Sequence, residues 1–283
     1  MSVLSGALLV GSSVRQSLRD LIYQRLGVTD FLISSDHFFR ENLADSLATP
    51  GKTCPFIMLR GVVTAEASGI QAHNVNVYGI DRQFWEFQGM AGQKAPEGRA
   101  ALLGAALAGK IGIRTGDVLF LRVETQEGIP KETLFGRRES AGRTLRLTCD
   151  GILPAERLGE FALRPSQGEI LSIFVPLQRL QRDLAQPGRV NAVLLAASAN
   201  SRDPQTVRNS LEKALTFTDA GLVLRPLPKQ HAISVESSRV LLDDPAADAV
   251  FETAAQSGME ASGVFTYLAN SIRVGNRSIP YSV

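Results

Sequence analysis

Residues that usually carry chemistry are scarce in this chain. Among 283 residues there are two cysteines, three histidines and one tryptophan, and aromatics make up 6%. Cys54 and Cys149 lie far apart and form no metal-type pair. Buried free thiols are the simpler expectation, and a disulfide in an oxidising compartment is the alternative. His37, His73 and His231 are scattered and show neither H-x-x-x-H nor H-E-x-x-H spacing, which excludes the common helical zinc motifs. His37 near a helix start and His73 at a strand end read as capping or surface residues. There is no G-x-S-x-G nucleophile elbow, and no residue run points to a triad assembled from distant positions. Long apolar runs are also lacking: only residues 3–10 are continuously apolar, against the roughly 20 that a spanning helix needs. Neither sign of charge dominates, with 30 basic and 28 acidic residues and a net charge of +2. Arg137-Arg138 is the one basic doublet near other cations, so the electrostatic footprint of a nucleic-acid-binding protein is absent.

What is present describes a folded chain: 44% hydrophobic and 20% charged residues suit a sizeable core. Met1 to Val10 is apolar and runs without proline or turn into Gly11-Ser-Ser-Val-Arg-Gln-Ser-Leu-Arg19, where charge first appears. A signal peptide would place positive charge before its apolar run. Two readings of the run follow: the outer end of a first transmembrane helix, or an ordinary amphipathic helix opening a soluble protein. Val14, Leu18, Leu21, Ile22 and Leu26 recur at helical spacing, with Arg15, Arg19, Asp20 and Gln24 on the other side. Gly27 is a natural stop, which makes this segment a stalk-like helix.

A short strand, 30–34, follows. Asp36 is then expected to cap a helix with Phe39, Leu43 and Leu47 on its apolar side, broken at Pro50-Gly51. The runs 56–64 and 75–80 predict a hairpin around Ala67-Ser-Gly69. Gly89 to Gly98 is a polar, glycine-rich connector and the best internal boundary. Beyond it the composition predicts an alanine-rich helix over 100–111, strands at 118–123, 143–149 and 161–163, and then a βαβα run: strand 170–175, helix 176–184, strand 190–196, and a helix opened by Asp203-Pro204. The last 65 residues predict strands near Val223, at 233–240 and at 264–268, with a helix starting at Asp244-Pro245. No internal repeat or low-complexity tract is evident.

Three local patterns invite chemistry. Gly104-Ala-Ala-Leu-Ala-Gly109-Lys110 matches G-x-x-x-x-G-K, most of a phosphate-binding loop. Ile111 stands where the magnesium-binding hydroxyl belongs, Ala-Ala-Leu-Ala favours helix, and no buried strand is expected to lead into the motif. Asp243-Asp244 reads as a helix-capping turn rather than an acid/base pair. Phe84, Trp85 and Phe87 read as core packing in preference to a ligand shelf. The sequence therefore offers no catalytic, cofactor-binding or metal-binding residue.

Several segments taken together resemble the extracytoplasmic domain of FtsX/MacB-like ABC transporter permeases. They are residues 11–19 leading to Arg25-Leu-Gly-Val-Thr-Asp-Phe31 and Phe38-Phe39, then Val77-Tyr-Gly-Ile-Asp81 with Phe84, which is similar to a V-x-G-V-D-x-x-F pattern. Leu102 to Val123, with Gly116-Asp117, is similar to an L-A-x-x-L-G-x-x-x-G-D segment. Phe174-Val-Pro-Leu177 with Leu180-Gln181 matches F-V-P-L-x-x-L-Q. Thr266-Tyr-Leu-Ala-Asn270 and Ile279-Pro-Tyr-Ser282 resemble a branch of long bacterial permeases. The motifs stand in the family's order and cover nearly the whole chain.

The resemblance implies an α+β fold. An N-terminal membrane-helix end and stalk (1–27) precedes a Porter-like mixed α/β part, built from 28–90 and 168–218. A strand-rich Sabre-like insertion (91–167) divides that part, and an α+β extension (219–283) follows it. It also implies a non-enzymatic role without cofactors. A separate cytoplasmic ABC ATPase subunit would drive motion through the membrane helices to this domain, which would lie on the extracytoplasmic side of a bacterial inner membrane. That motion would serve export or extraction of a substrate, with a periplasmic protein or lipoprotein as a further partner, no nucleic acid, and a dimer in the intact complex. The family has transmembrane helices after this domain, and none is seen here, so a fragment is expected. The rivals are a soluble hydrolase with a site hidden from sequence, and a membrane-anchored adhesion or assembly domain.

Overall fold

The computed structural model describes the backbone of residues 2–47, 51–124, 142–164, 166, 168–197, 203–237, 242–264, 271–275 and 277–280. Helix α1 (Ser2–Leu26) leads into strand β1 (Phe31–Arg40), a one-turn helix α2 (Leu43–Ser46), and the hairpin β2 (Gly51–Ala65) and β3 (Gln71–Ile80). Helix α3 (Arg82–Phe87) follows, then β4 (Ala100–Gly104), α4 (Ala105–Ile111), β5 (Val118–Glu124) and β6 (Gly142–Leu153). The chain continues through β7 (Ser172–Pro176), α5 (Leu177–Asp183), β8 (Arg189–Ala197) and α6 (Pro204–Ala214). It ends in an arm made of the hairpin β9 (Leu222–Leu227) and β10 (Ala232–Ser237), helix α7 (Asp244–Gln256), and the hairpin β11 (Ser271–Val274) and β12 (Arg277–Pro280).

Eight strands form one mixed sheet in the order β1-β8-β2-β3-β7-β4-β6-β5, and β5 also pairs with β2. The ladder β2-β3-β7-β4-β6-β5 thus closes on itself as a six-stranded barrel, with β3–β7 and β4–β6 parallel and the rest antiparallel. Closure removes the exposed edges that an open sheet would present. The long β2 makes it possible. Its first half, 51–56, pairs with β8, and its second half, 61–65, pairs with β5. Where β2 changes partner, the Asn191 carboxamide accepts from Met58 N and donates to Met58 O, both at 2.8 Å. The side chain replaces the missing rung, which a buried backbone requires.

Alternation along the strands divides the interior in two. Val63, Val75, Val77, Leu103, Leu121, Leu147 and Ile173 belong to one buried cluster, to which α2, α4 and α5 add Leu43, Leu107 and Leu180. Cys54, Phe56, Tyr78, Phe174 and Leu194 belong to the other, together with Phe84, Trp85 and Phe161. Cys149 lies in the first cluster and Cys54 in the second, and both are free, buried thiols.

Three sequence expectations are corrected. Asp36 does not cap a helix: β1 runs to Arg40, and helix begins only at Leu43. Pairing with β8 from Phe31 to Ser34, and again at Phe39 and Arg40, overrides the local capping signal and leaves a bulge between. Residues 100–104 are strand rather than helix, because β4 is inserted between β7 and β6 and tertiary pairing outweighs the propensity of Ala and Leu. Residues 161–163 form no strand; Tyr78 Oη donates to the Phe161 carbonyl at 3.0 Å, and Ala162 N donates to the Arg25 carbonyl at 3.1 Å, so this backbone is satisfied outside the sheet. The hairpin over 56–80, the βαβα run and the helix capped at Asp203 are present, with Asp203 accepting from Gln205 N. Met1, Arg137-Arg138, 265–268 of the strand expected at 264–268, Ser238 to Val240 of the one expected at 233–240, Thr266 to Asn270 and Tyr281-Ser282 lie outside the described residues.

Candidate functional site

Helix α1 has 25 residues, which at 1.5 Å per residue is about 37 Å long. Among the described residues no helix is long and apolar enough to cross a membrane. Residues 13–20 are all exposed, and the apolar positions Val14 (53%), Leu18 (45%) and Ile22 (43%) are exposed with them. From Ser13 onward burial begins only in the last turns, so this part of the helix stands away from the body and is held at its root.

That root is built from three separate pieces of chain. Arg25 is buried, its Nε and Nη2 donating to Glu160 Oε2 at 3.2 and 2.8 Å. Its Nη1 donates to the Ser166 carbonyl at 2.6 Å and its Nη2 to the Gly168 carbonyl at 3.2 Å. The planar guanidinium supplies several donors in fixed directions, which is why arginine suits this junction. On the other side Gln88, at the end of α3, accepts from Val28 N at 3.0 Å and donates to Thr29 Oγ1 at 3.3 Å. Gly27 between them has a φ of +60°, and a Cβ there would lie 2.1 Å from Gln88 Oε1. The left-handed backbone favours glycine, and any side chain there would also displace the Gln88 carboxamide from Val28. Asp30 then locks the turn to the sheet, its N donating to the Leu195 carbonyl and its Oδ2 accepting from Ala197 N, both at 2.9 Å.

A second polar cluster sits at the far end of β1. The Asp219 side chain is fully buried and accepts from Arg40 N, Nε and Nη2, at 3.2, 2.9 and 2.5 Å, and from Thr216 N and Oγ1, at 3.0 and 2.8 Å. Burial alone would raise its pKa, but the Arg40 and Thr216 hydrogen bonds more than offset this and bring it down to about 2. The Asp219 carbonyl lies 2.7 Å from His37 Nε2, and His37 Nδ1 lies 2.6 Å from Ser35 Oγ. A carbonyl oxygen can only accept, so His37 Nε2 donates to it. His37 sits in the β1 bulge and neither caps a helix nor lies free on the surface.

The surroundings of the phosphate-loop pattern do not suit a phosphate. A buried strand, β4, does lead into Gly104, contrary to the sequence expectation. Residues 105–111 are already helical, however, and Lys110 is exposed. A Cβ on Gly104 would lie 2.1 Å from the Gly159 carbonyl oxygen and 2.6 Å from Ser172 Oγ. This glycine admits a neighbouring backbone, not a phosphate. Asp243 caps α7 by accepting from Ala246 N at 3.1 Å, with Asp244 in the first turn. Phe84 and Trp85 are fully buried, edge-to-face at 5.1 Å, within a group that includes Tyr78, Phe161 and Phe174. Trp85 Nε1 is buried there without a hydrogen-bond partner. His73 is exposed on β3, and His231 occupies a left-handed turn between β9 and β10.

Among the described residues no three His, Cys, Asp or Glu side chains gather as a metal site would require. An open groove of 510 Å³ is lined by Arg40, Glu41, Asn42, Asp45, Pro55, Gln83 and Gly188. Its Glu41 carboxylate accepts from Gln181 Nε2 at 2.7 Å, and no hydroxyl or thiol nucleophile lines it. Burial raises the thiol pKa of both Cys54 and Cys149, which leaves them poor nucleophiles.

In the sequence Arg25 stands only within a motif segment, with no contact assigned to it, and Asp219 is not singled out. Arg25 follows Leu18 and Leu21 at helical spacing, so a charge on the apolar stripe was the available signal. Asp219 gave none, because its partner Arg40 lies 179 residues away.

No family model and no curated protein matches the chain. Among solved structures, it is similar to the periplasmic region of MacB from Actinobacillus actinomycetemcomitans, with 11% identity over 82% of this chain and 86% of that one and a TM-score of 0.37. It is also similar to the extracellular domain of the ABC-type transporter YknZ from Gram-positive bacteria, with 11% identity over 64% of this chain and 92% of that one and a TM-score of 0.39. Scores this low transfer neither a residue's role nor an activity.

Proposed function

We propose that this chain is the extracytoplasmic domain of an ABC transporter permease, a module that relays motion and performs no chemistry of its own. The observation that carries the reading is the root of α1. A 25-residue helix, exposed over 13–20, enters the body at one point, where Arg25 and Gln88 tie it to segments far apart in sequence. A helix resists bending along its length, and a junction tied to several segments passes displacement to all of them. The ordered resemblance of the sequence motifs supports the same reading. In it, Met1 to Val10 is the outer end of a first membrane helix. Residues 28–90 and 168–218 form the Porter-like part, 91–167 the Sabre-like insertion, and 219–283 an extension.

The partners under this reading are a cytoplasmic ABC ATPase, the inner membrane, and a periplasmic protein or lipoprotein, with two copies of the permease in the intact complex. The driven process is export or extraction of a substrate at the outer face. The test is affinity purification of the chain, expressed from its own locus with its full coding sequence, from detergent-solubilised membranes. An ABC ATPase subunit is expected to co-purify in stoichiometric amount. Recovery from the soluble fraction, or from membranes without an ATPase, would overturn the proposal. The second of those results favours the adhesion or assembly alternative.

A further inference from the structure

The root of α1 and the Asp219 cluster occupy the two ends of one strand. The connection from Leu26 to Phe31 is short, and β1 then spans ten residues to Arg40, roughly 30 Å at strand spacing. Among the described residues β1 pairs with β8 alone, at the edge of the sheet, so one side of it is not held by a ladder. Its pairing is interrupted between Ser34 and Phe39, and the bulge carries His37. The strand is thus tied at both ends, laddered on one side only, and interrupted in the middle, while Leu32, Ile33, Phe38 and Phe39 pack it onto the core.

The arm that begins after Asp219 has little else to hold it. No residue of its first hairpin is buried, with Leu224 at 45% and Ile233 at 59% exposure, and in α7 only Ala254 is buried. Isolated two-stranded hairpins are marginal in water. The turn 216–221 attaches the arm through Asp219, which takes every one of its side-chain hydrogen bonds from Arg40 and Thr216 and gives its carbonyl to His37. Arg40 Nη2 also reaches the Ala214 carbonyl at the end of α6, at 3.4 Å. Any axial shift of β1 moves Arg40 and the His37 bulge away from a carboxylate whose remaining hydrogen bonds, from Thr216 N and Oγ1, come from its own turn.

We infer that β1 is a coupling rod: Asp219 is a latch holding the C-terminal arm, and loosening the root of α1 at Arg25 loosens that latch. The biological use of the device rests on the relay reading above, but coupling between two joints is a property of the isolated chain and is tested on it. Backbone hydrogen exchange is measured by mass spectrometry for the parent, Arg25→Ala, Asp219→Asn and the double variant. Leu107→Ala serves as a control that weakens the core away from β1.

Arg25→Ala is expected to speed exchange across 215–221 by about tenfold while leaving 119–123 in β5 unchanged. Asp219→Asn is expected to speed exchange across 25–30 in return, since coupling is reciprocal. In the double variant the combined acceleration should be smaller than the product of the two single ones. An effect of Arg25→Ala confined to its own neighbourhood would overturn the inference, as would a uniform increase like that of Leu107→Ala. If Arg25→Ala does not fold, Arg25→Lys decides, with the same pattern expected at smaller amplitude. Uncoupled joints in a chain that still recovers an ATPase would leave the relay standing without this route. Coupled joints in a chain that recovers none would leave the device and remove the relay.

Discussion

Arg25→Ala is the substitution whose cost can be worked most fully from the structure. The guanidinium is nine-tenths buried, and Glu160, its ion-pair partner, is about a quarter exposed. Hydrogen bonds to charged groups contribute roughly 1.5–3 kcal/mol each when isolated, and breaking a fully buried ion pair costs about 3–5 kcal/mol. Glu160 can recover water once Arg25 is gone, whereas the Ser166 and Gly168 carbonyls lose a donor. The expected loss is therefore about 2–3 kcal/mol, below the fully buried case. It falls first on the docking of α1 and of segment 158–168, because the barrel interior does not include Arg25. The assay is urea unfolding followed by the single tryptophan, together with exchange at the Ala162 amide, which donates to the Arg25 carbonyl. Arg25→Lys should recover only part of the loss, since an ammonium cannot reproduce the fork to Glu160 and both carbonyls. A loss under about 0.5 kcal/mol, the range of an ordinary surface substitution, would refute the reasoning that this side chain holds the helix root.

The remaining expectations concern other parts of the molecule. Asp219 has a folded pKa of about 2 against an ordinary 3.8, so its ionised form contributes about 2 kcal/mol. That stabilisation is complete above about pH 4 and is lost as pH falls toward 2; Asp219→Asn should reduce the acid dependence in this window by about that amount in a denaturant titration. Gly104→Ala should destabilise by about 3 kcal/mol or fail to fold, by the cost of overpacking against a fixed backbone, and titration of the parent with magnesium-ATP should show no saturable heat. Cys54 and Cys149 should both resist an aromatic disulfide reagent until the chain unfolds, and no intramolecular disulfide should be found by mass spectrometry. Trp85→Phe should cost under about 1.5 kcal/mol, because the lost ring area is offset by removal of an unpaired buried N–H.

Much of the secondary structure is legible from local pattern, and the failures share one cause. The hairpin over 56–80, the helices opened by Asp203-Pro204 and Asp243-Asp244-Pro245, and the buried strand 190–196 announce themselves through alternation, capping residues and proline. Residues 36–40 and 100–104 mislead because pairing with distant strands decides them: β1 takes its conformation from β8, and β4 from β6 and β7. Barrel closure is equally invisible, since it depends on β2 exchanging β8 for β5 partway along its length. The candidate site follows the same division. The stalk and its glycine stop at Gly27 can be read directly, whereas the Arg25–Glu160 tie spans 135 residues. The Asp219 latch joins residues that no spacing rule connects.

The central claim is that α1 carries motion from an ATPase into this domain. Its most direct test is a distance measurement by pulsed electron resonance on the full-length protein, reconstituted in lipid nanodiscs with its co-purifying ATPase. Spin labels would be placed at the exposed residues Arg15 in α1 and Lys110 in α4. The account predicts that the distance distribution shifts between the nucleotide-free state and the state trapped with a non-hydrolysable ATP analogue, and that Arg25→Ala abolishes the shift while ATPase activity persists. An identical distribution in both states, from a complex that hydrolyses ATP, would contradict it.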